Sequence, residues 1–308
     1  MRLDEGYVIT EDGVRLFYQK LGSGPNTVIV PNAVHMFDSF QHLSDHRTVI
    51  FFDLRNRGRS DSVGDSAKLI RGIHRDVDDL EAVRRHFGID KTAAIGHSYV
   101  ALTVILYALK YPAHVSRLVQ IGPPPPNAQT QYPAHLTGAD QTLTEFVGKL
   151  TKLQKERESE TPQEFCRKFW ELIRVLYVAN PADAPKIRWA PCDYPNEYLH
   201  FMKHWTGNVL PSIQALDLRP EELSKVKAQV LTIHGTRDRQ APYGGGREWA
   251  SILPDARLVT VEDAAHVPWI EAPEKVFGAI KAFLDGAWPG EAESEIPQRD
   301  PIAGRHVL

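Results

Sequence analysis

The sequence predicts an α/β protein in which helices cover both faces of a mostly parallel central sheet. Short, continuously apolar segments alternate with amphipathic helical segments over residues 27–121, and this alternation returns over residues 229–284. Between them, four consecutive prolines begin a stretch that has several helical patterns and no convincing strand. We therefore expect a helical lid, inserted into the chain, that lies over the sheet.

The hydrophobic patterns place the elements of this fold in chain order. Residues 7–10 and 14–21 flank Asp12-Gly13 and predict a hairpin. Further strands are predicted at 27–30, 48–52, 92–95, 115–121, 229–234 and 257–261, and core helices at 70–87, 100–111, 246–253 and 273–284. Lid helices are predicted at 143–158, 162–178, 196–205 and 211–216. The predicted division is core 1–122, lid 123–223, core 224–286 and a loose tail 287–308.

Composition excludes several classes of protein. The formal net charge of −3 over 308 residues leaves no basic excess for binding nucleic acid. No segment approaches the roughly 20 apolar residues of a membrane span, and no signal peptide is visible. We expect a soluble, cytoplasmic protein that acts on a small molecule, without a metal or cofactor; a homo-oligomer stays open. Cys166 and Cys192 lack metal-type spacing and are expected to be free thiols.

The stretch 92–111 carries the first candidate for chemistry. A short apolar strand passes into a helix through Gly96-His97-Ser98-Tyr99, with no room for a loop. So tight a turn pushes the side chain of Ser98 outward and directs the free N–H groups of the helix at whatever that side chain attacks. The alternative is that Ser98 is only a helix N-cap, a position that serine favours.

Two further residues supply what a serine nucleophile needs. A hydroxyl requires a base to take its proton, and the base requires a carboxylate that orients it. Asp238 lies in the loop after the strand at 229–234, and His266 lies in the loop after the next strand. Since the carboxyl ends of parallel strands share one edge of the sheet, we expect both side chains to lie near Ser98.

Four stretches resemble the α/β-hydrolase superfamily, in particular its lid-bearing members that are similar to esterases and proline iminopeptidases. They are residues 96–99, residues 52–60, residues 235–238 and residues 265–273. The resemblance implies an α/β-hydrolase fold, with Ser98 as nucleophile, His266 as general base and then acid, and Asp238 as the orienting carboxylate. It also implies an oxyanion hole from the backbone N–H groups of Tyr99 and Val34.

The chain departs from the family pattern at two places. Val100 stands where the elbow usually has glycine, and Asn32-Ala33 stands where the oxyanion loop usually has His-Gly. Ala33 lacks the backbone freedom of glycine. Both departures lie on the side of the oxyanion hole, where one donor is typically worth about 3–4 kcal/mol.

The lid is rich in aromatic residues, which predicts an apolar or aromatic substrate. We expect His35, Trp170, Trp205 and Val267 to line the substrate pocket. The alternatives are that His35 is a surface loop residue and that the lid aromatics only pack the lid against the core. The cations of Arg55, Arg57 and Arg59 are interpreted as parts of a structural turn or as an anion site.

The predicted function is hydrolysis of a carboxylic ester or lactone through an acyl-enzyme. One alternative is an aminopeptidase similar to proline iminopeptidase, which needs lid carboxylates to hold a substrate ammonium; the candidates are Glu164, Glu171, Asp193 and Glu197. Another alternative is hydrolysis of a carbon–carbon bond by the same triad. A third is a ligand-binding relative with little turnover.

Overall fold

The computed structural model describes residues 2–294, without the side chain of residue 158, and contains an eight-stranded sheet. The strands are β1 (Asp4–Ile9), β2 (Arg15–Leu21), β3 (Thr27–Pro31), β4 (Thr48–Phe52), β5 (Thr92–His97), β6 (Val115–Ile121), β7 (Gln229–Gly235) and β8 (Ala256–Val261). Their order in the sheet is β1-β2-β4-β3-β5-β6-β7-β8. The pairings of β2 with β1 and β4 are antiparallel, and all others are parallel. This architecture confirms the predicted fold class.

Helices cover the two faces of the sheet and form the lid. The core helices are α1 (Ala33–Phe40), α2 (Ile73–His86), α3 (Val100–Lys110), α10 (Tyr243–Ile252), α11 (Pro268–Glu271) and α12 (Pro273–Leu284). Between β6 and β7 lie α4 (Gln141–Glu156), α5 (Pro162–Ile173), α6 (Pro195–Leu199), α7 (Phe201–His204), α8 (Leu210–Gln214) and α9 (Pro220–Leu223). A π-helical turn, Trp205–Val209, joins α7 to α8.

The core sits on both faces of the central strands, which are buried along nearly their whole length. Every residue of β5 is buried, and so are all residues of β3 and β4 except the first. One cluster contains Leu80, Ile105 and Trp249, and the other contains Phe40, Ile280 and Phe283. Continuous burial is what a parallel sheet covered on both faces requires, so the apolar runs predicted these strands correctly.

The structure corrects the prediction of a loop over residues 31–36. Asn32 adopts a left-handed backbone conformation (φ 70°), which asparagine tolerates better than most residues, and α1 begins directly after it. Ala33, Met36 and Phe40 of this helix are buried against the sheet. Their spacing is helical, but Pro31 and Asn32 directly before them hid that pattern.

The structure corrects the prediction of a loose tail for the first residues of that segment, which contact the core. The backbone of Glu293 exchanges two hydrogen bonds with Leu258 of β8, at 2.8 and 3.0 Å, and the ring of Trp288 packs on Phe283. The edge strand β8 offers unpaired backbone groups, and this segment binds them. Residues 295–308 lie outside the described part of the chain, and the exact domain boundaries stay predictions. Within residues 2–294 no helix has the length and apolar character that crossing a membrane requires.

Candidate active site

Ser98 occupies a strained turn between β5 and α3. Its φ is 57°, a left-handed conformation that is uncommon for a residue with a side chain and that is often found at functional sites. The Ser98 N–H donates to the carbonyl of Ile121 at 2.9 Å, and a side chain at Gly96 would lie 2.4 Å from the carbonyl oxygen of Val100. The N-cap residue of α3 is Tyr99, and no side chain caps this helix. The N-cap interpretation of Ser98 is therefore wrong.

His266 and Asp238 form a buried pair at the carboxyl edge of the sheet. His266 Nδ1 lies 2.8 Å from Asp238 Oδ2, and both side chains are almost fully buried. Asp238 Oδ1 accepts the backbone N–H groups of Gln240 and Ala241. Burial alone would raise the pKa of Asp238, but His266 and His234 hold it well below its usual range. The carboxylate therefore stays ionised and can fix the orientation of the His266 ring.

Sequence reasoning missed a second histidine behind this carboxylate. His234 Nε2 lies 3.2 Å from Asp238 Oδ2 and 3.0 Å from the carbonyl oxygen of Ala241. Both neighbours are acceptors, so we assign the proton of His234 to Nε2. The only signal in the sequence was the position of His234, four residues before Asp238 at the end of a strand.

Backbone contacts bring the Asp238–His266 pair to the turn that holds Ser98. Gly122 directly follows Ile121, the partner of the Ser98 N–H, and a side chain at Gly122 would lie 3.1 Å from both Asp238 Oδ2 and His266 Nδ1. His97 Nε2 lies 2.9 Å from the carbonyl oxygen of His266. The residues before Ser98 and beside it thus contact the histidine segment directly.

The structure corrects the expectation that the backbone N–H of Val34 forms part of an oxyanion hole. The Val34 N–H donates to Asp53 Oδ1 at 3.0 Å, so it is not available to a substrate oxygen. Asp53 is fully buried at the end of β4 and satisfies its carboxylate with this N–H and with the backbone and side chain of Arg59. The demand of a buried carboxylate for donors explains the difference.

An aromatic cluster, formed by His35, Trp170, Tyr177 and Trp189, adjoins His266. The ring of Trp189 lies 4.6 Å from that of His35 and 5.7 Å from those of Trp170 and Tyr177, and the Tyr177 ring lies 5.1 Å from that of His266. His35 is buried, which corrects the surface-loop interpretation, and burial lowers its pKa well below the usual value. Tyr177 and Trp189 were not predicted in this role, because their register in the lid cannot be read from the sequence.

The remaining two predicted pocket residues lie on different sides of the site. The Trp205 ring lies 5.0 Å from that of Tyr99, which follows Ser98 directly. Val267 is fully buried, and its N–H donates to the carbonyl of Tyr177 at 3.1 Å, so it ties the lid to the histidine loop. The π-helical turn that begins at Trp205 is a feature often found at functional sites.

The structure contradicts the prediction of two free thiols. Cys166 of α5 and Cys192 form a disulfide within the lid. Nearby, Trp170 Nε1 donates to the carbonyl of Trp189 at 3.3 Å. Cysteine spacing alone could not reveal the pair, because the two residues are 26 positions apart in the lid sequence.

Every cation of the Arg-rich loop is paired within the protein. Arg55 bonds Asp79 and Asp12, Arg57 bonds Glu197, and Arg59 bonds Asp53. These pairs support the structural interpretation of the loop over the anion site. The pair of Arg57 and Glu197 also crosses from the core to the lid.

The four lid carboxylates considered for an ammonium site are engaged elsewhere. Glu164 completes the capping box of α5, Glu171 pairs with Arg174, Asp193 lies 4.0 Å from Arg167, and Glu197 accepts from Arg57 and Gly58. The first three are also exposed. Among the described residues there is no group of three or more His, Cys, Asp and Glu side chains arranged to hold a metal ion.

Comparison with known proteins assigns the family. A family model described as alpha/beta hydrolase fold matches residues 30–273. The chain belongs to this family.

Individual relatives agree with that assignment. The chain is 25% identical to a proline iminopeptidase of Pestalotiopsis fici over 260 residues, which covers 81% of this chain and 85% of the relative. It is 25% identical to a bifunctional esterase/perhydrolase of Acinetobacter calcoaceticus, over 91% of this chain and 99% of the relative. An esterase of Exiguobacterium antarcticum has the same fold, with a TM-score of 0.69 and 19% identity, over 92% of this chain and all of that one.

Proposed function

We propose that the protein is a serine hydrolase that cleaves a carboxylic ester or lactone through an acyl-enzyme. The observation that carries this proposal is the buried Asp238–His266 pair, which lies against the strained turn of Ser98. Each member has the chemistry that its role needs: a hydroxyl, an imidazole and a carboxylate kept ionised.

In the proposed reaction, His266 accepts the proton of Ser98 as the hydroxyl oxygen attacks the acyl carbonyl. The imidazolium then donates this proton to the leaving alcohol, and the acyl group stays on Ser98. His266 then deprotonates a water molecule that attacks the acyl-enzyme, and it returns this proton to Ser98 Oγ as the bond to the acyl group breaks and the acid is released. Asp238 holds the ring and stabilises its positive charge in both steps.

The Tyr99 N–H is our proposed oxyanion donor, since it lies at the start of α3 directly after the nucleophile. Val34 is left out of the proposal because Asp53 binds its N–H.

The aromatic cluster and Trp205 support an apolar or aromatic substrate, because Tyr177 contacts His266 and Trp205 contacts Tyr99, the residue after Ser98. The similarity to esterases agrees with an ester as the substrate. The four lid carboxylates considered for a substrate ammonium are engaged within the protein, so they do not favour the aminopeptidase alternative. Carbon–carbon bond hydrolysis would use the same triad.

A fluorophosphonate probe tests the proposal. We expect it to label the protein on Ser98 and to leave Ser98→Ala unlabelled, while the control Ser224→Ala, which changes an exposed serine, is labelled normally. The same three proteins should be assayed against esters, lactones, proline amides and ring-fission diketones. Folded protein that neither takes the label nor hydrolyses any of these compounds would support the ligand-binding alternative.

The cytoplasmic location is a separate proposal, and the disulfide bears on it. Disulfides persist mainly in oxidising compartments. Alkylation of thiols during cell lysis, followed by mass spectrometry, would decide the point. Two alkylated cysteines would support the cytoplasmic location, and an intact Cys166–Cys192 bond would count against it.

A further inference from the structure

The carboxylate of Asp238 is held from two sides. On one side, the backbone N–H groups of Gln240 and Ala241 donate to Oδ1 at 2.8 and 2.9 Å. On the other side, Oδ2 lies 2.8 Å from His266 Nδ1 and 3.2 Å from His234 Nε2. The oxygen that binds the proposed catalytic base is therefore shared with a second imidazole, which is fully buried.

The second imidazole also holds the loop that carries this carboxylate. His234 belongs to strand β7, and its Nε2 lies 3.0 Å from the carbonyl oxygen of Ala241. Because both neighbours of Nε2 are acceptors, a single N–H is shared between the side chain of Asp238 and the backbone of Ala241. This N–H therefore ties the loop after β7 to the strand itself.

Close packing against α10 fixes the orientation of the His234 ring. A side-chain carbon at Gly246 would lie 2.3 Å from His234 Nδ1 and 2.9 Å from its Cβ and Cγ. The ring of Tyr243 meets the same imidazole nearly at a right angle, with ring centres 5.9 Å apart. Only a residue without a side chain leaves room at position 246 for the ring in this orientation.

The same packing lets His234 orient Asp238 without neutralising it. His234 Nδ1 is buried and has no hydrogen-bond partner among the described residues. A second proton on this nitrogen would find no acceptor, and burying such an unpaired donor is costly. His234 is therefore a neutral donor, and the negative charge of Asp238 stays available to the imidazolium that forms on His266.

We propose that His234 is a positioning residue of the triad, which holds Asp238 Oδ2 where the ring of His266 can use it, and that Gly246 keeps His234 in place. His234 acts through Asp238 and not on the substrate. The proposal rests on the proposed function, because the position of Asp238 matters for turnover only if His266 serves as the base. The physical basis is orientation, since a displacement of about 1 Å can cost about 100-fold in rate.

A matched pair of substitutions tests the shared N–H. Gln and Met both place an atom as many bonds from Cα as the Nε2 of histidine, but only Gln carries an N–H there. His234→Met should lower kcat for p-nitrophenyl butyrate about 10- to 100-fold, and His234→Gln less than about threefold. KM should stay within about twofold in both, because His266 acts in acylation and deacylation and both steps slow together.

The kinetic outcomes are decisive. A kcat of His234→Met within about twofold of the unaltered protein would overturn the proposal. Equal losses in His234→Met and His234→Gln would also overturn it, because a role in packing alone does not require the N–H. If His234→Met does not fold, as judged by circular dichroism, substitutions of glycine decide.

Gly246→Ala tests the packing without changing an atom of His234 or of the triad. The new methyl group would displace the His234 ring, so kcat should fall at least about fivefold. Gly278→Ala is the matched control: in α12, outside its own helix, a side chain there would meet no described atom within 4 Å, so kcat should not change.

Combining the substitutions shows whether Gly246 acts through His234. In the His234→Met background, Gly246→Ala should lower kcat by less than about twofold, because no N–H is left to displace. An unchanged kcat in Gly246→Ala alone, or a full further loss in the His234→Met background, would overturn the proposal.

Proton NMR reads the bond between Asp238 and His266 without turnover. A proton held between an imidazole nitrogen and a carboxylate resonates at very low field. The low-field signal that His266→Ala lacks should stay sharp in His234→Gln, and it should broaden or move to higher field in His234→Met. Identical low-field signals in the two variants of His234 would overturn the proposal.

The two readouts separate this proposal from the proposed function. The expected change of the low-field signal, in a protein that hydrolyses no ester, would retain the role of His234 in holding Asp238 and reject the serine hydrolase. Hydrolysis that requires Ser98 but is unaffected by His234→Met would retain the hydrolase and reject the positioning role.

Discussion

The sheet core and the lid are held together in different ways. Strands β3 to β8 and the helices on them bury long apolar stretches, so the core is stabilised mainly by the hydrophobic effect. In the lid, α5 has no buried residue and α4 has only Leu153. Lid residues 178–189 join the second apolar cluster of the core, but α4 and α5 contribute no buried residue to it. The lid is also tied down by a small number of specific contacts that substitutions can remove one at a time.

Four such contacts connect or brace the lid. Asn196 Nδ2 donates to the carbonyls of Gly58 and Ser60, and Glu197 accepts from Arg57 and from the Gly58 N–H. Arg239, next to Asp238, bonds Asp140 and the carbonyl of Val178. The Cys166–Cys192 disulfide braces the lid internally. The proposed triad lies on the apolar core, whereas most of the aromatic residues proposed to contact the substrate belong to the lid.

The largest expected effect comes from the core. His266→Ala should lower kcat for p-nitrophenyl esters by roughly 10⁴-fold or more, because Ser98 loses its base. The melting temperature should stay within a few degrees, since the strands that carry the loop are unchanged. The control His46→Ala alters an exposed histidine and should leave kcat unchanged. Substantial activity in His266→Ala would mean that another group is the base.

The next effect tests the link between the two regions. Glu197→Gln leaves Arg57 buried without its carboxylate, which should cost about 3–5 kcal/mol. Hydrogen exchange should show opening in lid peptides before core peptides. Glu171→Gln removes an exposed ion pair and should cost less than about 1 kcal/mol. Equal effects of both substitutions, or opening that begins in the core, would contradict the comparison.

Removing the disulfide should affect the lid alone. The bond closes a segment with a sequence separation of 26 residues, so the double substitution Cys166→Ser with Cys192→Ser should destabilise it by about 3 kcal/mol. Limited proteolysis should cut the lid faster and leave the core intact. Titration of the unaltered protein that finds two free thiols would show that the bond does not form in solution.

The smallest expected effect is a pH dependence at the boundary of core and lid. Asp76 is buried in the first turn of α2, which bonds Ser212 of the lid through the Ile73 N–H. Burial raises the pKa of Asp76 to about 8, above the value of about 4 in the unfolded chain, so its stabilising contribution is complete below pH 4 and is lost as the pH rises through 8. Asp76→Asn should therefore gain stability relative to the unaltered chain between pH 4 and pH 8. We expect a gain of about 2 kcal/mol in the free energy of unfolding. This is less than a pKa shift of this size would give in a rigid protein, because buried sites relax around a new charge. A difference in the free energy of unfolding between the two proteins that stays constant from pH 4 to pH 8 would contradict the raised pKa of Asp76.

Sequence patterns predicted the core far better than the lid. The strand at residues 115–121 and the helix at residues 273–284 have the predicted bounds, because apolar periodicity reflects burial on the sheet directly. The positions of Asp238 and His266 after β7 and β8 followed from the shared carboxyl edge, and the structure joins these two side chains.

What the sequence did not reveal depends on contacts between distant residues. The occupation of the Val34 N–H depends on Asp53, and the disulfide depends on how two lid segments meet. The predicted helix 162–178 ends as an α-helix at Ile173 and continues as a short 3₁₀ turn, which sets the direction of Tyr177. Such turns carry little periodic signal. The sequence pattern therefore predicted aromatic lid residues near the site, but not which of them form the aromatic cluster.

The pairing of Glu293 with Leu258 has a consequence for how copies of the protein meet. An edge strand with free backbone groups is a template on which a neighbouring molecule can add a strand, and this is a common route to aggregation. Here the protein's own chain occupies part of that edge. A version shortened before residue 288 would present β8 uncovered, and its tendency to aggregate should rise with concentration.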